Sequence, residues 1–161
     1  MPNLVKYCVD CFCLLFICSY RVGYIFGCIC LYLVDSSSVV APRATINLSN
    51  NEFEGFLPYP LGNLSMKLEK IIISVNKIRG SIPAGIGNLI GLVVLYLDAN
   101  KLTGAMPSVL GRLERLQILS LGSNSLSDHI PSEFGQLRNL IQVNMSQITD
   151  SPNPYQIHWG N

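Results

Sequence analysis

A repeat with a period of 24 residues is the feature that most limits how this chain can fold. The string NKIRGSIP, which begins at Asn76, returns as NKLTGAMP from Asn100 and as NSLSDHIP from Asn124. A leucine opens each successive copy, at Leu68, Leu92, Leu116 and Leu140. Self-similarity at a fixed period of this size indicates a solenoid, in which each repeat contacts its neighbours, rather than a globular domain.

Within each unit, apolar residues alternate over a short segment, as at Leu95 and Leu97, which places them on one face of a strand. One unit cannot fold alone, because fixing its backbone costs about 1–2 kcal/mol per residue, against about 1.5–3 kcal/mol for each of about six buried aliphatics. Stacked neighbours must share a core. The predicted fold is therefore an α/β-type repeat solenoid, right-handed and curved, with parallel strands on the concave face.

An asparagine ends the leucine pattern in each copy. We expect its buried amide to bond backbone groups left unpaired where the chain turns out of the strand. Glycine and proline then follow, at Gly80 and Pro83 for example, which favours turns and extended segments on the convex side over a long helix. The predicted structural ladder consists of Asn51, Asn76, Asn100 and Asn124.

The full unit reads L-x-x-L-x-L-x-x-N-x-L-x-G-x-I-P-x-x-L-G-x-L, which resembles the plant extracellular type of leucine-rich repeat. The segments IPAGIGNL from Ile82 and LQILSLGSN from Leu116 are similar to ectodomain repeats of plant leucine-rich-repeat receptor-like kinases, including receptors for bacterial patterns. The resemblance covers about residues 44–147. It implies a short leucine-rich-repeat horseshoe segment that binds a peptide or protein ligand, with a possible co-receptor, in cell-surface recognition and signalling.

The chain divides into three predicted parts: an apolar, cysteine-rich leader over 1–43, three complete and two partial repeats over 44–147, and an irregular tail over 148–161. All six cysteines lie in the leader. Residues 11–34, as an apolar N-terminal helix, exceed the roughly 30 Å hydrocarbon core of a bilayer. Three interpretations remain open: a membrane anchor interrupted by Arg21, a signal peptide cut near 36–38, or a start that is not genuine coding sequence. The first two place the repeats outside the cell, at the plasma membrane or secreted.

The outward-facing strand positions form a mixed, nearly neutral surface that suits an extended peptide or another protein. The alternative is that each is merely a tolerated solvent residue. The candidate ligand-binding residues are Lys70, Ile72, Ser74, Val75, Val94, Tyr96, Asp98, Ile118, Ser120 and Gln142.

Three sequons predict N-glycosylation, at Asn47, Asn63 and Asn144. Asn47 and Asn144 fall at outward strand positions, where a glycan would obstruct the binding surface. Asn63, on the loop side, is therefore the one expected to be used.

The sequence predicts a binding module without catalytic residues, cofactor or metal site. It lacks the V-A-I-K, H-R-D and D-F-G strings of a kinase, and the glycines at 85, 87 and 91 follow the repeat rather than a nucleotide-binding spacing. Eleven basic against ten acidic residues leave no footprint for nucleic acid. Two alternatives remain: part of a complete receptor serine/threonine kinase whose kinase domain is missing here, or a non-functional truncated remnant.

Overall fold

A computed structural model describes residues 5–9, 12–16, 44–64, 68–127 and 129–148. Strands β1 (Val5–Val9) and β2 (Phe12–Phe16) pair antiparallel. The sequence predicted an apolar helix over 11–34, but β2 is a strand, and the rest of that segment lies outside the described residues. In the parts of the chain that are described, no helix is long and apolar enough to cross a bilayer.

The repeats stack as successive rungs, and each rung contributes one strand to a five-stranded parallel sheet in chain order. Lys70 lies opposite Val94, Val94 opposite Ile118, and Ile118 opposite Gln142, so each rung advances the register by 24 residues. This confirms the predicted parallel solenoid. The strands are β3 (Ala44–Asn47), β5 (Leu68–Ile72), β7 (Val94–Tyr96), β9 (Ile118–Ser120) and β11 (Gln142–Asn144).

A second parallel sheet of four short strands, which the sequence had indicated only as turns and extended segments, follows the asparagine of each rung. Its equivalent glycines Gly55, Gly80 and Gly104 have φ values of 111°, 80° and 83°, a backbone region that L side chains rarely adopt. The strands are β4 (Glu54–Phe56), β6 (Lys77–Gly80), β8 (Lys101–Gly104) and β10 (Ser125–Leu126).

The remaining side of each rung is a single turn of 3₁₀ helix that follows a proline. The prolines adopt φ between −60° and −73°, which the pyrrolidine ring favours. Successive helices pack so closely that a Cβ added at Gly87 would lie 2.7 Å from the Cβ of Val109. The helices are η1 (Tyr59–Asn63), η2 (Ala84–Asn88), η3 (Ser108–Arg112) and η4 (Ser132–Gln136).

One continuous apolar core runs through the rungs between the main sheet and the 3₁₀ helices. The phased leucines fill it: Leu95 and Leu119 are fully buried, and Leu97 and Leu102 are 1% exposed. Phe134, the only aromatic residue among the fully buried side chains of the described chain, lies in η4. The hydrophobic content of the repeats is thus shared between neighbouring rungs, as the energetics of a single unit require.

The asparagines join consecutive rungs. The Nδ2 of Asn124 lies within 3.2 Å of the carbonyl oxygens of Leu97, Leu121 and Gly122, and its Oδ1 accepts a hydrogen bond of 3.0 Å from the Leu102 amide. Asn76 and Asn100 repeat this arrangement one and two rungs earlier.

The residue before the last position of each strand-to-turn bend takes a left-handed backbone conformation, with φ between 53° and 57°. This lets the chain leave the main sheet and places the next side chain, the ladder asparagine in four of the five rungs, inside the bend. Val75 stands out, because a β-branched side chain is a steric outlier in this region. The five residues are Asn50, Val75, Ala99, Ser123 and Gln147.

Candidate ligand-binding surface

The face of the main sheet opposite the core carries every predicted ligand-binding residue, and the register brings them into rows across β5 to β11. One row contains Lys70, Val94, Ile118 and Gln142, and the next contains Ile72, Tyr96 and Ser120. We call the full set of ten residues the concave strip; it is completed by Ser74, Val75 and Asp98.

The strip is less open than alternation alone suggested. Val94 and Ser74 are each 8% exposed and Ser120 is 3% exposed, so these three are buried although they face away from the core. Side chains of adjacent rungs cover them from the sides, because neighbouring strands lie only about 4.8 Å apart. The exposed members are Lys70, Val75 and Gln142, and the half-buried ones are Ile72, Tyr96, Asp98 and Ile118.

Polar contacts between rungs fix one border of the strip. The Ser74 hydroxyl donates to Oδ1 of Asp98 at 2.7 Å, which orients that carboxylate. One rung further on, the Oγ of Ser123 lies 3.1 Å from Oε1 of Gln147. The strip is therefore an apolar centre between a lysine at one end and a row of hydroxyl, amide and carboxylate groups along one side.

An ion pair on the other border was not foreseen from the sequence. Arg115 lies with its guanidinium 3.6 Å from Oε1 of Glu69, whose side chain is only 12% exposed. The two residues belong to different rungs, and neither position repeats its charge in the other copies, so the period gave no signal for this pair. Ile141, 80% exposed beside β11, was also missed, although it is the in-phase equivalent of Gln117 and Val93.

The three predicted glycosylation sites lie on two sides of the solenoid. Asn47 and Asn144 end β3 and β11, in the row that holds Ile72 and Tyr96. Asn63 is the last residue of η1, on the convex side, as expected for a loop-side position. Its side chain is outside the described part of the chain.

The predicted absence of a metal site is matched only as far as the chain is described: within those residues, no three His, Cys, Asp or Glu side chains gather as a metal ion would require. His129 is exposed. Two parallel sheets and a helical edge wound around a shared leucine core define the class of this protein, a leucine-rich-repeat solenoid with a concave face suited to binding.

Comparisons with known proteins agree with this class and narrow it. Two family models described as leucine rich repeat match residues 90–147 and residues 44–64 and 67–89. The receptor kinase-like protein Xa21 of Oryza sativa subsp. japonica is 51% identical over 53 residues, which are 33% of this chain and 5% of that protein. The chain thus spans a small fraction of the curated relative that it matches.

Solved plant ectodomains share the fold. The leucine-rich-repeat ectodomain of the membrane receptor kinase GASSHO1/SCHENGEN3 of Arabidopsis thaliana, in complex with CASPARIAN STRIP INTEGRITY FACTOR 2, is 40% identical with a TM-score of 0.62, over 65% of this chain and 12% of that one. The Arabidopsis receptor kinase HAESA, in complex with the peptide hormone IDA and the co-receptor SERK1, is 34% identical with a TM-score of 0.62, over 66% and 18%.

The chain belongs to the leucine-rich repeat family, and its repeats are of the kind found in plant receptor ectodomains. The resemblance predicted from the repeat consensus is therefore confirmed. The similar proteins are membrane receptors, and the part that this chain resembles is a binding module rather than a catalytic domain.

Proposed function

We propose that the concave strip binds an extended peptide or a segment of another protein, as part of a plant cell-surface receptor. The observation that carries the proposal is the apolar centre formed by Ile72, Tyr96 and Ile118 across three consecutive strands, all half-buried and therefore partly open to solvent. Two of the similar ectodomains were solved with a peptide hormone or another named factor bound, which supports this kind of ligand.

The dimensions of the strip favour a short extended segment. Three steps between β5 and β11 span about 14 Å, which an extended chain covers with about four to five residues. Tyr96 offers a large aromatic surface at low entropic cost and lies centrally, as residues that dominate binding energies commonly do. Lys70, exposed at one end, suits a carboxylate, and the oriented carboxylate of Asp98 suits a basic group or an amide donor.

A displayed library of random peptides, selected against the full chain, tests the proposal. We expect Tyr96→Ala to weaken binding of selected peptides by at least about 2 kcal/mol, or about 30-fold in Kd. The matched control is Tyr59→Ala, because Tyr59 is 82% exposed but lies in η1, away from the strip. Peptides that lose affinity equally with both changes, or with neither, would overturn the assignment of the strip.

Localisation at the plasma membrane with the repeats outside the cell, or secretion, follows from the same proposal. The matching proteins are membrane receptors, which supports an extracellular or membrane-associated site. A co-receptor would then contact a border of the strip once a ligand is bound. Digestion of intact plant cells by an added protease tests the location: repeats that are cleaved only after lysis would contradict it.

A further inference from the structure

Two of the sequons present the same local geometry at opposite ends of the main sheet. Oδ1 of Asn47 accepts hydrogen bonds from the backbone amide of Ser49 at 3.1 Å and from its hydroxyl at 2.7 Å. Oδ1 of Asn144 accepts from the amide and hydroxyl of Ser146 at 3.1 Å and 2.8 Å. In both, the amide oxygen is held within the sequon, so the two sites differ only in what surrounds the amide nitrogen.

The surroundings of the two nitrogens are opposite. Asn47 is exposed, and within the described chain its Nδ2 donates no hydrogen bond. Asn144 is half-buried, and its Nδ2 lies 3.2 Å from Oγ of Ser120, a residue only 3% exposed. Its amide also covers Gly122, where an added Cβ would meet Oδ1 of Asn144 at 2.8 Å.

We propose that Asn47 carries an N-linked glycan in the folded protein and that Asn144 does not. In the transfer, Nδ2 of the asparagine attacks C1 of an oligosaccharide held on a lipid pyrophosphate. The C1–N bond forms, the bond from C1 to the pyrophosphate oxygen breaks, the nitrogen loses one proton to a base, and the lipid pyrophosphate leaves.

The fold decides between the two sites because the sugar replaces a hydrogen on the nitrogen. At Asn47 that hydrogen points to solvent, where a bulky glycan fits a protein surface. At Asn144 the sugar would have to enter between the amide and Ser120 and separate the last two strands of the sheet. A glycan there is incompatible with the packing on Gly122, so chains that carry it do not reach this fold intact.

This inference corrects the expectation that only the loop-side sequon is used. It also implies, where it rests on the proposed function, that a glycan beside β3 borders the concave strip on its N-terminal side and leaves β5 to β11 open. The glycan would then limit how far a ligand extends along the sheet without covering Tyr96.

The test uses the full chain fused to a cleavable secretory signal, in a eukaryotic host, with Asn63→Gln to remove the third sequon. Only secreted protein with the signal cleaved is analysed, by intact mass and by peptide mapping after enzymatic deglycosylation. We expect one glycan, which disappears on Asn47→Gln and on Ser49→Ala, remains with Ser49→Thr, and is unaffected by Asn144→Gln.

Two results would overturn the proposal. One is secreted protein in which Asn47 is unmodified. The other is protein with Asn144 fully modified and a melting temperature equal to that of its Asn144→Gln variant, since this would show that the packing around Ser120 accommodates the sugar. A melting temperature that drops in the fraction glycosylated at Asn144 would instead support the steric argument.

Discussion

Replacing Asn124 with alanine should destabilise the solenoid far more than replacing an exposed asparagine. Asn124 is 7% exposed and joins two rungs through four hydrogen-bonding contacts. Alanine would leave the buried Leu102 amide without its acceptor and remove the donor at 2.8 Å from the Leu121 carbonyl. The Leu97 carbonyl keeps a donor, because Asn100 also reaches it at 3.1 Å.

The magnitude follows from those two groups. A buried donor or acceptor without a partner costs about 1–3 kcal/mol, so Asn124→Ala should lower the free energy of unfolding by about 2–6 kcal/mol. With about 4–8 °C per kcal/mol for a domain of 60–100 residues, even the lower bound lowers Tm by about 8 °C or more. The loss applies to the whole stack, because rungs are stable only together.

Thermal unfolding followed by circular dichroism measures the effect, with two reference variants. Asn139→Ala removes one exposed bond to the Glu114 carbonyl and should cost less than about 1 kcal/mol. Asn51→Ala should fall between, because Asn51 bonds only the Leu48 and Ser49 carbonyls of its own rung. If Asn124→Ala melts within error of Asn139→Ala, the ladder does not stabilise the stack and the reasoning is refuted.

Three further changes test backbone and packing. Val75→Asn should raise stability by about 1 kcal/mol in urea unfolding, because it relieves a β-branched residue at φ 57°; a loss would contradict the strain. Gly87→Ala should cost about 1–3 kcal/mol by the same assay, since the new methyl meets Val109, whereas Gly135→Ala, with nothing within 4 Å, should gain about 0.4–1 kcal/mol; equal effects would refute close helix stacking. Leu119→Ala should cost about 2–5 kcal/mol, because Leu119 is fully buried, and a smaller loss would mean that the core collapses around the cavity.

The period predicted most of the fold because every copy repeats the same physical demand. Leu95 and its equivalents can be buried only if strands align in steps of 24 residues, and the observed register has this step. Even the one departure was visible, since the residue inserted before Leu68 appears as the irregularity between Ala44 and Thr45 where β3 meets β5. Periodic burial therefore determined both the topology and the place where it is imperfect.

The second sheet escaped prediction for an equally physical reason. Its strands, such as Lys101–Gly104, have two to four residues and one buried side chain, as at Leu102, so they carry no alternation of apolar and polar residues. They form because stacking brings equivalent backbone segments of adjacent rungs within hydrogen-bonding distance. A feature that depends on neighbouring rungs, and not on its own side chains, leaves no pattern within one copy.

The concave strip shows where alternation stops being informative. It assigned Ile72, Tyr96 and Ser120 correctly to one face, but it could not give their depth, since Ser120 is nearly buried and the other two are half open. Depth depends on the size of the residue in the next rung: Asn144 reaches back over Ser120, whereas the smaller Ser120 leaves Tyr96 accessible. Because each rung thus sets the exposure of the one before it, a ligand reads the differences between successive copies, and those differences are what the repeat consensus leaves out.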